Sequence, residues 1–277
     1  MEYRFLIIAV LFSSIIFGQK LNDSSVFYTD SIFSNSLNEY RSYNIYLPKT
    51  YEPNGNYKII YAVDGKKINP QHRIKRNLDS LINNRMIEPI IYVESLPNSK
   101  IVDSIRFSDD EIDYITLRNY EYVEAFSQFS KNEVLKSRFK SHLNYFKTEF
   151  IPHIEEVLNF KFNKADRFFF GYSNGGGFGV NFFSREPEIF GKIICFSPLG
   201  SNFQNLIWNV NFSYPEVFIA YGDKEEDYAV NEYKNLIDLL KSKAINYNLE
   251  VYDGTHEDMF WENEFIELLL NIVKKQP

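Results

Sequence analysis

A serine between two glycines has the clearest chemical signature in this chain. Residues 168–177 are FFFGYSNGGG, an apolar run that leads into the motif GYSNG at 171–175. A G-x-S-x-G motif between a buried strand and a helix forms a sharp turn that projects its serine above the sheet. The positive end of the helix dipole and the first N–H groups then lie where an oxyanion would develop. The pattern predicts that Ser173 is a nucleophile, although so short a motif also occurs by chance in glycine-rich loops.

A serine nucleophile needs a base, and only one histidine follows Ser173. Where such a turn carries a catalytic serine, the chain order is serine, acid, histidine. His142 and His153 precede the serine in a segment with helical apolar spacing, and His72 lies among basic residues. His256 follows a strand-like run and precedes a helix-like stretch. We therefore predict that His256 is the general base, the alternative being a solvent-exposed loop histidine.

The acid that orients the base should lie between Ser173 and His256. The apolar run 217–221 predicts a buried strand, and the acidic cluster DKEED follows it at 223–227. We favour Glu225, because its spacing from the glycine that ends the strand turns it back toward the sheet. Asp223 and Asp227 remain alternatives, since acidic residues also suit the first turn of a helix.

An acyl-transfer site also needs two backbone N–H groups for the oxyanion. The first should belong to Asn174, the residue after the serine. The second should follow an earlier central strand, and the β-rich run 57–63 ends at Asp64-Gly65. We predict the N–H of Gly65 or Lys66 as this donor.

The composition is that of a globular protein, with 277 residues, 44% hydrophobic and 24% charged. The net charge of −7 argues against a nucleic-acid partner and against an anionic membrane surface. The histidines are scattered and there is one cysteine, so the sequence predicts neither a metal site nor an internal disulfide. We expect Cys195 to lie on a buried strand, 192–196.

Residues 1–18 have the features of a secretory signal peptide. Arg4 precedes an apolar run that ends at Phe17, and Gly18 is small enough for cleavage before Gln19. An uncleaved anchor is the alternative. We expect a periplasmic or secreted protein with no stable membrane insertion after cleavage and, because no cysteine follows the site, no lipid anchor.

The rest of the chain alternates strand-like and helix-like segments, which predicts an α/β fold with a mostly parallel central sheet and helices on both faces. Ser173, Glu225 and His256 each follow a predicted strand, and carboxyl ends of parallel strands meet at one edge. We expect a single domain over residues 19–277. A polar, irregular insertion at about 95–140 interrupts it, and we interpret Arg106 and Arg118 there as offsetting local acids rather than binding an anionic substrate.

Several segments together carry a resemblance to a known family. They are YLP at 46–48, YAVDG at 61–65, GYSNGG at 171–176, Ser197-Pro198, GDKE at 222–225, and GTH at 254–256 with Trp261. In these the chain resembles the esterase family that includes enterochelin-esterase-like and feruloyl-esterase-like proteins, within the α/β-hydrolase superfamily. It departs from the family at Asn174, where leucine or methionine is common, and at Thr255 and Glu257, where many members have Gly-Gly-His-Asp.

The resemblance implies an α/β-hydrolase fold and hydrolysis of carboxylic esters through a serine, without a cofactor. Family members act on siderophore, feruloyl, acetyl and thioester substrates, so the substrate is expected to be a small-molecule or oligomeric ester of undetermined identity. We therefore predict an exported serine esterase that works through a Ser-His-acid triad and an acyl-enzyme. The alternatives are an inactive binding protein on a hydrolase scaffold and an acyltransferase.

Overall fold

The computed structural model describes residues 24–53, 55–68, 72–106, 112–200, 203, 206–208 and 212–274. The predicted signal peptide at 1–18 lies outside the described residues. Within the described ranges, eight strands form one sheet and two more form a separate hairpin. The strands of the sheet are β1 (Val26–Ser34), β2 (Glu39–Leu47), β3 (Lys58–Ala62), β4 (Ile90–Ser95), β7 (Arg167–Tyr172), β8 (Lys192–Phe196), β9 (Glu216–Gly222) and β10 (Tyr247–Tyr252). The hairpin strands are β5 (Ile101–Arg106) and β6 (Ile112–Thr116).

The order across the sheet is β1-β2-β4-β3-β7-β8-β9-β10. All pairings from β4 to β10 are parallel, and only β1 with β2 and β2 with β4 pair in antiparallel fashion. The prediction of a mostly parallel sheet in an α/β fold is therefore confirmed. Because β3, β7, β8, β9 and β10 run in one direction, the loops that follow them emerge at one edge of the sheet.

Helices cover both faces of this sheet. They are α1 (Arg73–Asn83), α2 (Leu117–Tyr122), α3 (Glu124–Phe129), α4 (Glu133–Lys136), α5 (Arg138–Asn144), α6 (Ile151–Val157), α7 (Asn174–Arg185), α8 (Asp227–Ser242) and α9 (Asp258–Ile272). A π-helical segment, Tyr145–Phe150, joins α5 to α6 in one continuous helix. In the part of the chain that the structure describes, no helix has both the length and the apolar character needed to cross a membrane.

Two hydrophobic cores lie on opposite faces of the sheet, because successive side chains of a strand point in opposite directions. On β7, Phe169 belongs to the core beneath α5–α8, whereas Phe168 and Phe170 belong to the core beneath α1 and α9. All three rings are at most 5% exposed. This two-sided burial explains why β7 is a continuous apolar run in the sequence, and it fixes the strand that ends at the candidate nucleophile.

The segment 95–140 is more regular than the sequence predicts. It contains the hairpin β5–β6, the short helices α2 to α4 and the beginning of α5. The side chain of Glu121 on α2 is fully buried and pairs with Arg41 of β2 and Arg138 of α5. These are contacts between residues distant in sequence, so local patterning does not reveal them. They attach α2 to the body of the fold beside the loops that follow the parallel strands.

Candidate active site

Ser173 lies on a sharp turn between β7 and α7. Its backbone φ is +52°, a left-handed conformation that costs non-glycine residues free energy and clusters at functional sites. Gly171 is required two residues earlier, since a Cβ there would lie 2.5 Å from the Gly175 carbonyl oxygen. The Ser173 N–H donates to the Phe196 carbonyl at 2.9 Å, which ties the turn to β8. Although Ser173 is the N-cap of α7, its hydroxyl does not cap the helix.

The Ser173 hydroxyl is hydrogen-bonded to His256 instead. The distance from Ser173 Oγ to His256 Nε2 is 3.0 Å, and His256 Nδ1 lies 2.6 Å from Glu225 Oε2. The three residues come from the loops after β7, β9 and β10, at the same edge of the sheet. An ionised Glu225 only accepts hydrogen bonds, so Nδ1 carries the ring proton and Nε2 has a lone pair for the serine proton. The structure thus brings these three predicted residues together in the geometry of a nucleophile, a base and an orienting acid.

Glu225 is held by more than the histidine. Its side chain is fully buried, its Oε1 accepts from the Ser197 hydroxyl at 2.5 Å and the Gly222 N–H at 2.9 Å, and its Oε2 also accepts from the Tyr233 hydroxyl at 2.6 Å. Burial raises the pKa of the Glu225 carboxyl, but the hydrogen bonds from His256, Ser197, Tyr233 and Gly222 together lower it by more. The net pKa lies below its ordinary value, so this carboxylate stays ionised beside the imidazole.

The two alternative acids do not reach the histidine. Asp223 is exposed, and its Oδ1 accepts from the Gly254 N–H at 3.3 Å. Asp227 is exposed in the first turn of α8, where a negative charge favours the helix dipole. Among the described residues, Glu225 is the member of the acidic cluster whose carboxylate is hydrogen-bonded to the His256 ring.

Three residues around the triad have roles that we did not predict from the sequence. Ser197, with φ of +43°, donates to Glu225 and accepts from Trp261 Nε1 at 2.9 Å. The Trp261 ring packs edge-on against His256, with centroids 4.6 Å apart, and stacks on Tyr172. Tyr233 lies on the buried face of α8. The sequence shows it only as a tyrosine at helical apolar spacing, which does not indicate a contact with the acid. Ser197 and Trp261 lie in the segments that resemble the esterase family, so that resemblance could have indicated a role for both residues.

The structure changes the prediction for the oxyanion hole. Asn174 is the first residue of α7, so its N–H lies at the positive end of the helix. The Gly65 N–H, in contrast, donates to the Ser95 carbonyl at 3.0 Å. Because one N–H makes one good hydrogen bond, the Gly65 N–H is engaged in this conformation, which favours the other candidate of this loop, while Gly65 as a donor stays an untested prediction. Lys66 is the other predicted donor of the loop after β3.

An ion pair links this loop to the turn at Ser173. Arg118 of α2 makes a bidentate pair with Asp64, with Nε–Oδ1 and Nη2–Oδ2 distances of 2.5 and 2.6 Å. Its Nη1 also lies 3.3 Å from Asn174 Oδ1. From the sequence we interpret Arg118 as offsetting acids of its own segment, but the acid that it pairs with is Asp64, in the loop after β3. Arg106, by comparison, lies on exposed strand β5.

A cavity of about 250 Å³ opens beside the site on the face covered by α1 and α9. Its lining includes Asp64, Lys66 and Tyr172, the residue before Ser173, together with Glu94 and His72. His72 Nε2 lies 3.3 Å from Glu94 Oε1, and its side chain is 9% exposed. The cavity is therefore a mixed polar and apolar space next to the nucleophile.

The other two histidines, His142 and His153, contact aromatic side chains of the fold. His142 is fully buried among the rings of Tyr122, Phe178 and Tyr145. His153 Nε2 is 3.0 Å from the Tyr43 hydroxyl. Among the described residues, no group of three or more histidine, cysteine or acidic side chains is arranged to hold a metal ion.

Comparison with known proteins agrees with this architecture. The sequence profile of the family described as "Putative esterase" matches residues 34–272. An uncharacterized protein of Bacillus subtilis (strain 168), YjcH, is 23% identical over 242 residues, which cover 83% of this chain and 90% of that protein. A ferulic acid esterase structure aligns with a TM-score of 0.68 and 18% identity, covering 90% of this chain and 98% of the other. An S-formylglutathione hydrolase (FrmB) from Staphylococcus aureus aligns with a TM-score of 0.60 and 14% identity, covering 90% and 97%.

Proposed function

The chain belongs to the family described as "Putative esterase", and we propose that it hydrolyses carboxylic esters with Ser173 as nucleophile, His256 as general base and Glu225 as the acid. One observation carries the proposal. It is the continuous hydrogen-bonded series from Ser173 Oγ through both ring nitrogens of His256 to the buried Glu225 carboxylate. A hydroxyl becomes a competent nucleophile when an adjacent base can take its proton and a third group orients that base.

Acylation begins with attack of Ser173 Oγ on the ester carbonyl carbon, while His256 Nε2 takes the hydroxyl proton. The carbonyl π electrons move to oxygen, and the N–H groups of Asn174 and Lys66 stabilise the resulting oxyanion. Collapse of this intermediate restores the carbonyl and breaks the C–O bond to the alcohol. The alcohol leaves with the proton from His256, and Glu225 stabilises the imidazolium throughout.

Deacylation repeats the sequence with water. His256 takes a proton from water as the oxygen attacks the acyl carbon. Collapse of the second intermediate returns the proton to Ser173 and releases the carboxylic acid. The cavity lined in part by Asp64, Lys66 and Tyr172 is where we place part of the substrate, since Lys66 is a proposed oxyanion donor and Tyr172 directly precedes Ser173.

The proposal is tested by labelling and by turnover. A fluorophosphonate probe should add one adduct mass to the wild-type protein and none to Ser173→Ala. Over a panel of small esters, hydroxycinnamate esters and thioesters, Ser173→Ala should lower kcat by roughly 10⁴ to 10⁶ on any accepted substrate. An unlabelled wild-type protein, or a Ser173→Ala variant that keeps more than a tenth of the wild-type rate, would contradict the proposed mechanism.

The same assays address the two alternatives. A binding protein on a hydrolase scaffold would not react with the probe. An acyltransferase would react with it, but added acceptor alcohols would divert most of the acyl group into new esters rather than acid. We propose hydrolysis because the proposed chemistry requires only water as acceptor.

We also propose that the protein is exported, from the sequence of residues 1–18. Native material should begin at or near Gln19 when its N-terminus is sequenced. An intact Met1 on the native protein would contradict export by a cleaved signal.

A further inference from the structure

Arg118 connects the two backbone segments that supply the proposed oxyanion donors. Its guanidinium holds both carboxylate oxygens of Asp64, the residue before Gly65 and Lys66, and also lies 3.3 Å from the Asn174 side-chain oxygen. The two donor segments follow β3 and β7, which are neighbours in the sheet.

Asp64 itself has a backbone conformation that needs support. Its φ is +62°, in the left-handed region, and such a residue persists only where its surroundings over-determine it. The bidentate Arg118 pair and the Tyr122 hydroxyl, 3.4 Å from the Asp64 N–H, provide this support. The conformation of Asp64 sets the direction of the next peptide groups, including the Lys66 N–H.

The Asp64 carboxylate also contacts the turn at the nucleophile. A Cβ on Gly175 would lie 2.9 Å from Asp64 Oδ2, so this carboxylate rests against the first turn of α7. The Arg118 side chain is 23% exposed, and the Asp64 side chain 7%. A bidentate pair with this little solvent is directional as well as attractive, so it fixes Asp64 relative to Arg118, and the 3.3 Å contact of Arg118 with Asn174 Oδ1 links the pair to the second segment.

Arg118 is placed by the segment at 95–140. The guanidinium lies over the Tyr122 ring, 5.0 Å from its centroid, and the Arg118 N–H donates to the Asn98 carbonyl at 2.9 Å. On the same short helix, Glu121 is locked by Arg41 and Arg138. The helix is therefore anchored on one side while Arg118 reaches the active site.

We infer that Arg118, through Asp64, is a positioning residue that fixes the oxyanion hole by clamping the loop after β3 to the turn at Ser173. This inference rests on the proposed serine mechanism. The pair acts on transition-state binding more than on substrate binding, because the oxyanion exists only after attack. Removal of one oxyanion donor costs about 10² to 10³ in kcat. Loosening the donors should cost less, so we expect Arg118→Met to lower kcat by about 10- to 100-fold with KM changed less than about threefold.

The experiment measures a transition-state analogue and a substrate side by side. A trifluoromethyl ketone adds to the serine and places its oxyanion in the hole, so its Kd for Arg118→Met should rise about in proportion to the loss of kcat/KM. Asp64→Asn, which keeps the size and the tolerance for positive φ, should behave similarly. The double variant should be no worse than the more damaging single one, because both changes break one interaction.

Arg185→Met is the matched control. Arg185 of α7 pairs with Glu124 of α3 at 2.6 Å and so also joins the inserted segment to α7, but its guanidinium lies over the Phe139 ring rather than against the Asp64 carboxylate. It should leave both kcat and the trifluoromethyl ketone affinity within about threefold of wild type. The control separates the clamp from a general contribution to stability.

Two results would overturn the inference. The first is an unchanged trifluoromethyl ketone affinity in both Arg118→Met and Asp64→Asn, whatever their thermal stability. The second is a rise in KM confined to anionic esters with kcat preserved, which would assign Arg118 to substrate recognition. If the wild-type protein fails to bind the ketone at all, the proposed function fails instead.

Discussion

Replacing Glu225 with glutamine removes one negative charge from the site while keeping the size and shape of the side chain. Glu225 now meets four hydrogen-bond donors, His256 Nδ1, the hydroxyls of Ser197 and Tyr233, and the Gly222 N–H. A carboxamide keeps the shape but has only one acceptor oxygen. Two of these donors must therefore face an NH₂ group, and the tautomer of His256 is no longer fixed.

The magnitude follows from the lost attraction to the imidazolium. Two unit charges at 4 Å attract by about 4 kcal/mol at an effective dielectric constant of 20. The Glu225 side chain is fully buried but His256 is 33% exposed, so solvent screens part of this interaction and we expect about 3 kcal/mol. That corresponds to a loss of kcat on the order of 10²-fold. Loss of the correct tautomer adds to it, to at most about 10⁴-fold.

The assay compares Glu225→Gln, Asp223→Asn and Asp227→Asn on one accepted ester, with urea unfolding of each. Asp223→Asn should stay within about threefold of wild type, because an amide oxygen can also accept from Gly254 and exposed charges contribute little. Glu225→Gln should also be less stable by about 1 to 3 kcal/mol, since buried donors lose their acceptor. The reasoning is refuted if Glu225→Gln keeps more than a tenth of wild-type kcat/KM, or if either aspartate variant is the more damaged.

Three further predictions concern stability and reactivity. Burial and the neighbouring Arg41 and Arg138 hold the pKa of His142 well below its ordinary value. The unfolded chain therefore takes up a proton at about pH 6.5 that the folded protein does not, and stability should fall by up to about 1.4 kcal/mol per pH unit below that point. In His142→Phe, urea unfolding at several pH values should show a weaker dependence, and an identical one would contradict the assignment. Cys195 is fully buried on β8 and burial raises the pKa of its thiol, so a disulfide reagent should leave it unmodified until denaturant unfolds the protein; rapid labelling of native protein would show that the strand opens. A Cβ at Gly222 would overlap the Gly254 carbonyl, so Gly222→Ala should displace the loop that carries His256, destabilise the protein by about 1 to 3 kcal/mol and lower kcat at least tenfold; unchanged unfolding and turnover would disprove this steric conflict.

Much of the fold could be predicted because its elements have local signatures. The predicted strand at 192–196 has the bounds of β8, and the apolar run at 217–221 lies inside β9. A strand buried on both faces is apolar along its whole length, and a turn such as that at Ser173 requires glycine where a Cβ would clash. Pattern and structure agree wherever burial or sterics act within a few residues.

The candidate site was predictable in part for the same reason. His256 stands out because it is the one histidine after Ser173, and chain order constrains which residues can meet at one edge of a parallel sheet. The choice of Glu225 over its neighbours depended on spacing alone. The structure places it against the ring because Ser197 and Tyr233, from two other elements, bind the same carboxylate.

Hydrophobic periodicity, glycine positions and strand direction are enough to predict the parallel sheet, the turn at Ser173 and the edge at which the candidate residues meet. Three features became visible only once the elements were packed together: which acid faces His256, that the Gly65 N–H is engaged by Ser95, and that Arg118 pairs with Asp64 beside Asn174. Each of these is a directional contact at 2.5 to 3.3 Å between residues from separate elements. Hydrogen-bond geometry of this kind depends on how packed elements are oriented, and no local pattern encodes that orientation.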